Sequence, residues 1–113
     1  MNSIRNKVTL IGRLGKEPEI RTIDGNKKFA RFTLATNEDY VNKDGEKVKE
    51  TQWHNIVVWG GLTEVCEKYL TKGKEIALEG KIIYRYWDDK QGVKHYMTEI
   101  NVSDLLLIGD AKN

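Results

Sequence analysis

Residues 51–73, TQWHNIVVWGGLTEVCEKYLTKG, contain the only clear change of hydrophobic period in the chain. From Thr51 to Trp59 the pattern alternates, with Trp53, Asn55, Val57 and Trp59 on one face and His54, Ile56 and Val58 on the other, as a strand requires. From Leu62 the apolar residues fall at Leu62, Val65, Cys66, Tyr69 and Leu70, the i, i+3, i+4, i+7, i+8 stripe of an amphipathic helix. Lys72-Gly73 supplies a helix stop.

Working outward from this junction, the rest of the chain reads with period two. Upstream, Lys7–Leu14 is a β-branched and aliphatic strand that bends or bulges near Gly12 and Gly15, and Glu19–Thr22 continues it. After the Asp24-Gly25 turn, Lys28–Thr36 forms a second strand. Residues 37–50 are polar and predict a protruding hairpin-like loop with its tip at Lys43-Asp44-Gly45-Glu46 and one large aromatic, Tyr40. Downstream, Glu75–Trp87 and Lys94–Val102 are strands joined by an Asp88-Asp89-Lys90-Gln91-Gly92 turn. Three strands, a helix and two more strands predict an all-β protein, a five-stranded OB-fold barrel with one helix between strands 3 and 4.

Composition sets the outer limits. The chain has 113 residues, 39% hydrophobic and 32% charged, with one proline, which suits one globular domain. We expect residues 1–108 to form that domain and residues 109–113 to be a short C-terminal remnant. Nineteen basic against seventeen acidic side chains give a net charge of +2, too slight a bias to argue for a nucleic-acid partner alone. Residues 1–36 nevertheless hold eight basic and three acidic side chains. Cys66 is the only cysteine, there is no secretion signal, and Leu105–Ile108 is far short of a membrane span, so a cytoplasmic protein is expected.

The chemistry-bearing pattern is aromatic rings in polar surroundings. Six residues at about 3.3 Å each separate Trp53 from Trp59 by roughly 20 Å, too far for both to fill one small core. Ile56 and Val58 are better barrel filling, which puts the tryptophan face outside. Trp87 lies beside Arg85 at a turn, and Tyr40 lies among charged neighbours. Unpaired bases stack on such rings while Lys and Arg follow the phosphates, so single-stranded nucleic acid is the expected partner. The basic residues nearest the rings are Arg21, Lys43, Lys49, Lys72, Lys74 and Arg85, and Lys7 joins them as a candidate contact.

Catalytic signals are weak, and neither a cofactor nor a metal is expected. His95 and Glu99 have zinc-ligand spacing for a helix but lie on a strand, where that spacing is about 13 Å. Asp88-Asp89 suits a turn better than acid–base work. Cys66 sits on the apolar helix stripe and is most simply a buried hydrophobe.

Several stretches together resemble the bacterial single-stranded DNA-binding proteins of replication and repair. They are Asn6–Gly15 with Pro18-Glu19, Phe32–Asn37, Thr51–Gly60, Tyr69–Gly73 and Glu79–Ile82, in order over about residues 5–108. The resemblance implies an OB fold, usually a homotetramer, that binds single-stranded DNA with little sequence preference during replication, recombination and repair and performs no chemistry. It places Trp53, Trp59, Trp87 and Tyr40 on base-stacking positions. It also implies that Lys7, Val8, Leu10 and His54 lie at subunit contacts. A primosomal or mobile-element paralogue acting in replication restart or DNA transfer is the alternative within the same class. Where relatives often carry basic residues this chain has Asn55, Gly61, Thr71 and Ile83, which lowers the expected affinity at high salt. Typical members continue into a Gly/Pro/Gln-rich linker and an acidic tip. This sequence stops at Gly109-Asp110-Ala111-Lys112-Asn113, so partners recruited through such a tail are not expected.

Overall fold

The computed structural model describes residues 3–109. A short 3-10 helix at Ser3–Asn6 leads into β1 (Val8–Leu14) and β2 (Glu19–Ile23). These are followed by β3 (Lys27–Val41), β4 (Lys47–Trp59), α1 (Leu62–Tyr69), β5 (Glu75–Asp88) and β6 (Lys94–Gly109). The strand order is β1-β5-β6-β4-β3-β2, with β4 and β6 parallel, and β1 also pairs with β3 through Arg13 and Leu14. This last pairing closes the barrel. Gly12 makes it possible, because a Cβ there would stand 2.2 Å from the carbonyl oxygen of Ala35.

β1 and β2 are two lengths of one interrupted strand, so the molecule is the five-stranded OB barrel with a helix after its third strand that the sequence predicts. Inward residues Leu14, Ala30, Phe32, Leu34, Ile56, Val58, Ile76, Leu78, Ile100 and Val102 form the core, with Cys66 and Leu70 of α1 packed against it. Burial pushes the Cys66 thiol up to about 11, as expected for an inert core residue. Among the described residues, no helix is long and apolar enough to cross a membrane.

Two expectations change. The polar stretch 37–50 is mostly strand: β3 and β4 stay paired out to Val41 and Lys47, and only residues 42–46 turn. Asn42 Oδ1 holds that turn by accepting from the amides of Asp44 and Glu46. The last strand runs to Gly109 rather than Val102, past a bulge at Ser103 that lets Val102 and Leu105 both meet the core. The second length of the first strand pairs only with β3, along Glu19–Ile23. Of the remnant expected at 109–113, residues 110–113 lie outside the described residues. Two long hairpins, β3–β4 and β5–β6, therefore extend beyond the barrel as twisted arms.

Candidate nucleic-acid interface

The outward face of the barrel is built from cross-strand rows. Antiparallel register places Arg21 opposite Phe29 and Phe29 opposite Trp59, so β2, β3 and β4 contribute one row of neighbouring side chains. The rings of Phe29 and Trp59 have centroids 4.9 Å apart at 37°. Their contact leaves Phe29 nearly buried and Trp59 exposed on its other side. Val57, on the same outward face, is also buried rather than exposed.

The next rows carry a charge network. Glu99 on β6 is only 3% exposed, and two arginines neutralise it. Arg31 Nη1 donates to its Oε2 at 2.5 Å, and Arg85 Nε lies 3.1 Å from its Oε1. A buried carboxylate is tolerable only when paired in this way. Each arginine also lies over a ring. The Arg31 guanidinium is 5.4 Å from the centroid of Phe29, and that of Arg85 is 5.4 Å from Trp87. Such contacts contribute about 0.5–1 kcal/mol each at exposed sites.

Further along the β5–β6 arm, Trp87 stacks on His95, with centroids 5.4 Å apart and planes at 17°. His95 Nε2 in turn lies 2.8 Å from Asp89 Oδ2. Asp89 Oδ1 accepts from the amides of Gln91 and Val93, so it shapes the turn as its sequence context predicts. The His95 contact and these amides hold the Asp89 carboxyl below the usual carboxylate range. Continuous contacts thus run from Trp59 through Phe29, Arg31, Glu99, Arg85 and Trp87 to His95.

Trp53 stands apart from that chain and is 62% exposed. Its seat is made of small residues: Ala35 faces it on β3, and a Cβ on Gly15 would lie 2.5 Å from Trp53 Cζ3. The ring therefore rests on the bare backbone of the β1–β2 connection.

The remaining candidates distribute unevenly. Lys49 shares the Trp53 face of the β3–β4 arm, and Lys43 lies in its tip. Tyr40 falls on the opposite face of that arm by strand alternation. Lys72 sits in the α1–β5 connection, which is tied to the β1–β2 connection where its amide donates to Glu17 Oε1. Arg21 pairs with Glu19. Lys7 pairs with Glu79 at 3.4 Å on the β1–β5 side of the barrel, away from the tryptophan rows. Of the expected subunit contacts, Val8 and Leu10 pack against the core, and His54 Nε2 lies 2.9 Å from Thr36 Oγ1. Lys74 is half-buried in the turn before β5. No cluster of three His, Cys, Asp or Glu side chains able to hold a metal occurs among the described residues.

Phe29 and Arg31 carry no functional signal in the sequence taken alone, Glu99 stands out there only as a poor zinc partner for His95, and Gly15 only as a bend in the first strand. Alternation along Lys28–Thr36 puts Phe29 and Arg31 on one face. Pairing with the tryptophan face of β4 would have revealed their role.

The model of the single-strand binding protein family matches residues 5–108. The chain is 44% identical over 105 residues to single-stranded DNA-binding protein 1 of Chlorobaculum tepidum, covering 92% of this chain and 65% of that one. The chain thus spans about two thirds of that relative's length. It is 40% identical over 113 residues to the single-stranded DNA-binding protein of Rickettsia felis, covering 96% of this chain and 74% of that one. Among solved structures, a Plasmodium falciparum SSB in complex with ssDNA superposes with a TM-score of 0.85 at 37% identity, over 91% of this chain and 94% of the other.

Proposed function

The chain belongs to the single-strand binding protein family, and from that premise we propose that it coats single-stranded DNA with little sequence preference during replication, recombination and repair, as a binder and not an enzyme. The observation that carries this reading is the outward face on which Trp59, Phe29 and Trp87 alternate with Arg31 and Arg85, with Trp53 beside it. Rings stack with bases of any identity, and guanidiniums donate to phosphate oxygens. Arg21 and Lys49 extend the positive surface along this face. Lys72, Lys43 and Tyr40 are secondary contacts, reached where the strand passes the connections and the arm. The working unit is the domain of residues 1–108.

We also propose assembly into a homotetramer. β1 pairs with β5 along Val8–Arg13, yet meets β3 only at Arg13 and Leu14, so most of its other edge is open to pair with a second copy. On the same sheet Ile11 and Leu106 are exposed aliphatics facing outward. These residues extend the contact beyond Lys7, Val8, Leu10 and His54.

The test is a titration of intrinsic tryptophan fluorescence with oligo-dT, oligo-rU and duplex DNA at several salt concentrations. We expect quenching by the single strands, with Trp53→Ala and Trp59→Ala each weakening binding about 5- to 150-fold. Folded variants that bind oligo-dT as well as the unaltered protein would make these rings packing residues and overturn the reading.

A further inference from the structure

The β5–β6 arm carries one ionisable side chain to which the row of rings and arginines gives no task of its own. His95 stands opposite Trp87 in the register, and its imidazole stacks on the indole with centroids 5.4 Å apart and planes at 17°. Rings in full overlap would lie closer, near the 3.5–4.0 Å or so of carbon contacts, so the stack is offset and the imidazole reaches past the rim of the indole. The His95 side chain is 43% exposed.

Its hydrogen bonding fixes what the ring can do. Nε2 lies 2.8 Å from Asp89 Oδ2, and Asp89 is held in turn by the amides of Gln91 and Val93. An ionised carboxylate only accepts, so Nε2 carries a proton and donates. The His95 contact keeps the Asp89 carboxyl below the ordinary carboxylate range, so this acceptor stays ionised at mildly acidic pH. Nδ1 has no hydrogen-bond partner among the described residues. In a neutral imidazole that nitrogen is an acceptor, of no use to a phosphate, whereas in the imidazolium it becomes a second donor. Histidine is the side chain that ordinarily changes charge between pH 5 and 8.

The charges around the ring are few. On its own face stand Asp89 from the turn and, beyond Trp87, Arg85 of β5, which shares Glu99 with Arg31. Asp88 and Lys94 stand opposite each other on the reverse face of the arm, and Lys90 lies in the turn.

We propose that His95 is a proton-gated phosphate contact: once protonated, it keeps Asp89 on Nε2 and donates from Nδ1 to the backbone phosphate beside the base stacked on Trp87. The proposal rests on the single-strand-binding reading and adds a dependence on pH to that site. A nucleotide whose base lies on Trp87 carries its phosphate past the rim of the indole, where the free imidazole edge stands. Binding then takes up a proton, so affinity falls as pH rises through the histidine range. By reciprocity, bound DNA raises the pH at which His95 titrates. A partly exposed ion pair contributes up to about fivefold in affinity, and one further phosphate contact steepens log affinity against log salt by about 0.7.

The experiment follows the anisotropy of end-labelled oligo-dT, which has no group titrating in this range, at about pH 5.5 and pH 8 over a salt series. It compares the unaltered protein with His95→Gln and His95→Arg. In parallel, the ring resonances of His95 in the unaltered protein are titrated with and without oligo-dT. We expect the unaltered protein to bind up to about fivefold tighter at the lower pH, with the steeper salt slope there. His95→Gln should lose this difference between the two pH values, and His95→Arg should show the steeper slope at both. The His95 midpoint should rise by up to about 0.7 pH unit on binding, the equivalent of fivefold. Equal slopes and affinities at the two pH values in the unaltered protein would overturn the proposal. So would a pH effect that survives in His95→Gln, which would pass it to another group, the chain's other histidine, His54, first among them. A His95 midpoint that stays in place or falls on binding would do the same even if both variants failed to fold. If the unaltered protein bound no oligo-dT at either pH, the single-strand-binding reading itself would fall, an outcome distinct from the others.

Discussion

Gly15→Ala tests whether the fold, rather than the DNA, sets the orientation of Trp53. The backbone at Gly15 is outside the left-handed region, so alanine meets no conformational penalty there. The penalty is spatial. The new Cβ would lie 2.5 Å from Trp53 Cζ3, 3.1 Å from Cη2 and 2.8 Å from Thr33 Oγ1. Carbon contacts settle at about 3.5–4.0 Å, so the ring must retreat by about 1 Å or rotate out of its seat. Because Trp53 is largely exposed it can move, and the cost to folding should be near the lower end of overpacking effects, about 1 kcal/mol. Alanine's smaller unfolded-state entropy offsets part of this, by about 0.4–1 kcal/mol. The larger effect falls on binding, where a displaced ring loses part of a stacking contribution of about 1–3 kcal/mol. A loss near 1 kcal/mol is roughly fivefold in affinity. The assay is a fluorescence titration with oligo-dT, repeated in the Trp53→Ala background, where Gly15→Ala should cost nothing more. Unchanged affinity, or an equal cost in both backgrounds, would refute the claim that the glycine seats the ring.

Glu99→Gln should raise the charge of the Arg31–Glu99–Arg85 group from +1 to +2, and steepen the fall of log affinity with log salt by up to about 0.7; an unchanged slope would show that these arginines do not meet phosphates. The same variant should lose about 1–2 kcal/mol in thermal or urea melts, the low end for charge-assisted bonds because both arginines are partly open to water. The Cys66 thiol, raised from 9.0 to about 11, should leave stability untouched below pH about 9 and lower it as pH rises toward 11, because the unfolded chain ionises first. Alkylation of Cys66 at pH 8 should accordingly proceed only at the rate of unfolding. Asp89, whose carboxyl is held below its ordinary 3.8, contributes order to the arm tip above that pH and loses it as pH falls through the folded value, which the His95 and Trp87 ring resonances should report in an acid titration.

What was legible in the sequence followed burial. Residues 51–59 pass through the barrel wall, so their alternation identified a strand and its two faces, and the helix stripe at Leu62–Leu70 marked the plug against the core. The arm at 37–50 was hidden because a two-stranded ribbon outside the barrel has no face to bury and thus no apolar alternation to display. The end of β6 was hidden by the Ser103 bulge, which shifts parity and makes Leu105–Ile108 look like a simple aliphatic run. Tyr40 joins the tryptophans in the sequence through its charged neighbours and the family resemblance, whereas the register of the ribbon puts it on the other face. Glu99 was the hardest to see. A glutamate normally signals solvated surface, and its arginines lie 68 and 14 positions away in the chain.

That buried glutamate also bears on why this face should accept any sequence. A protein reads base identity through hydrogen-bonding groups presented to base edges, and a free carboxylate is well suited to reading the amino group of cytosine. On this face both oxygens of Glu99 are turned to Arg31 and Arg85, and Glu19 is turned to Arg21. These two carboxylates are thereby occupied in holding guanidiniums beside rings. Ring faces and delocalised positive charge remain exposed to the ligand, and neither distinguishes one base from another strongly. On this argument Glu99 and Glu19 contribute to sequence tolerance by being already paired. Removing one of them should alter salt dependence before it alters base preference.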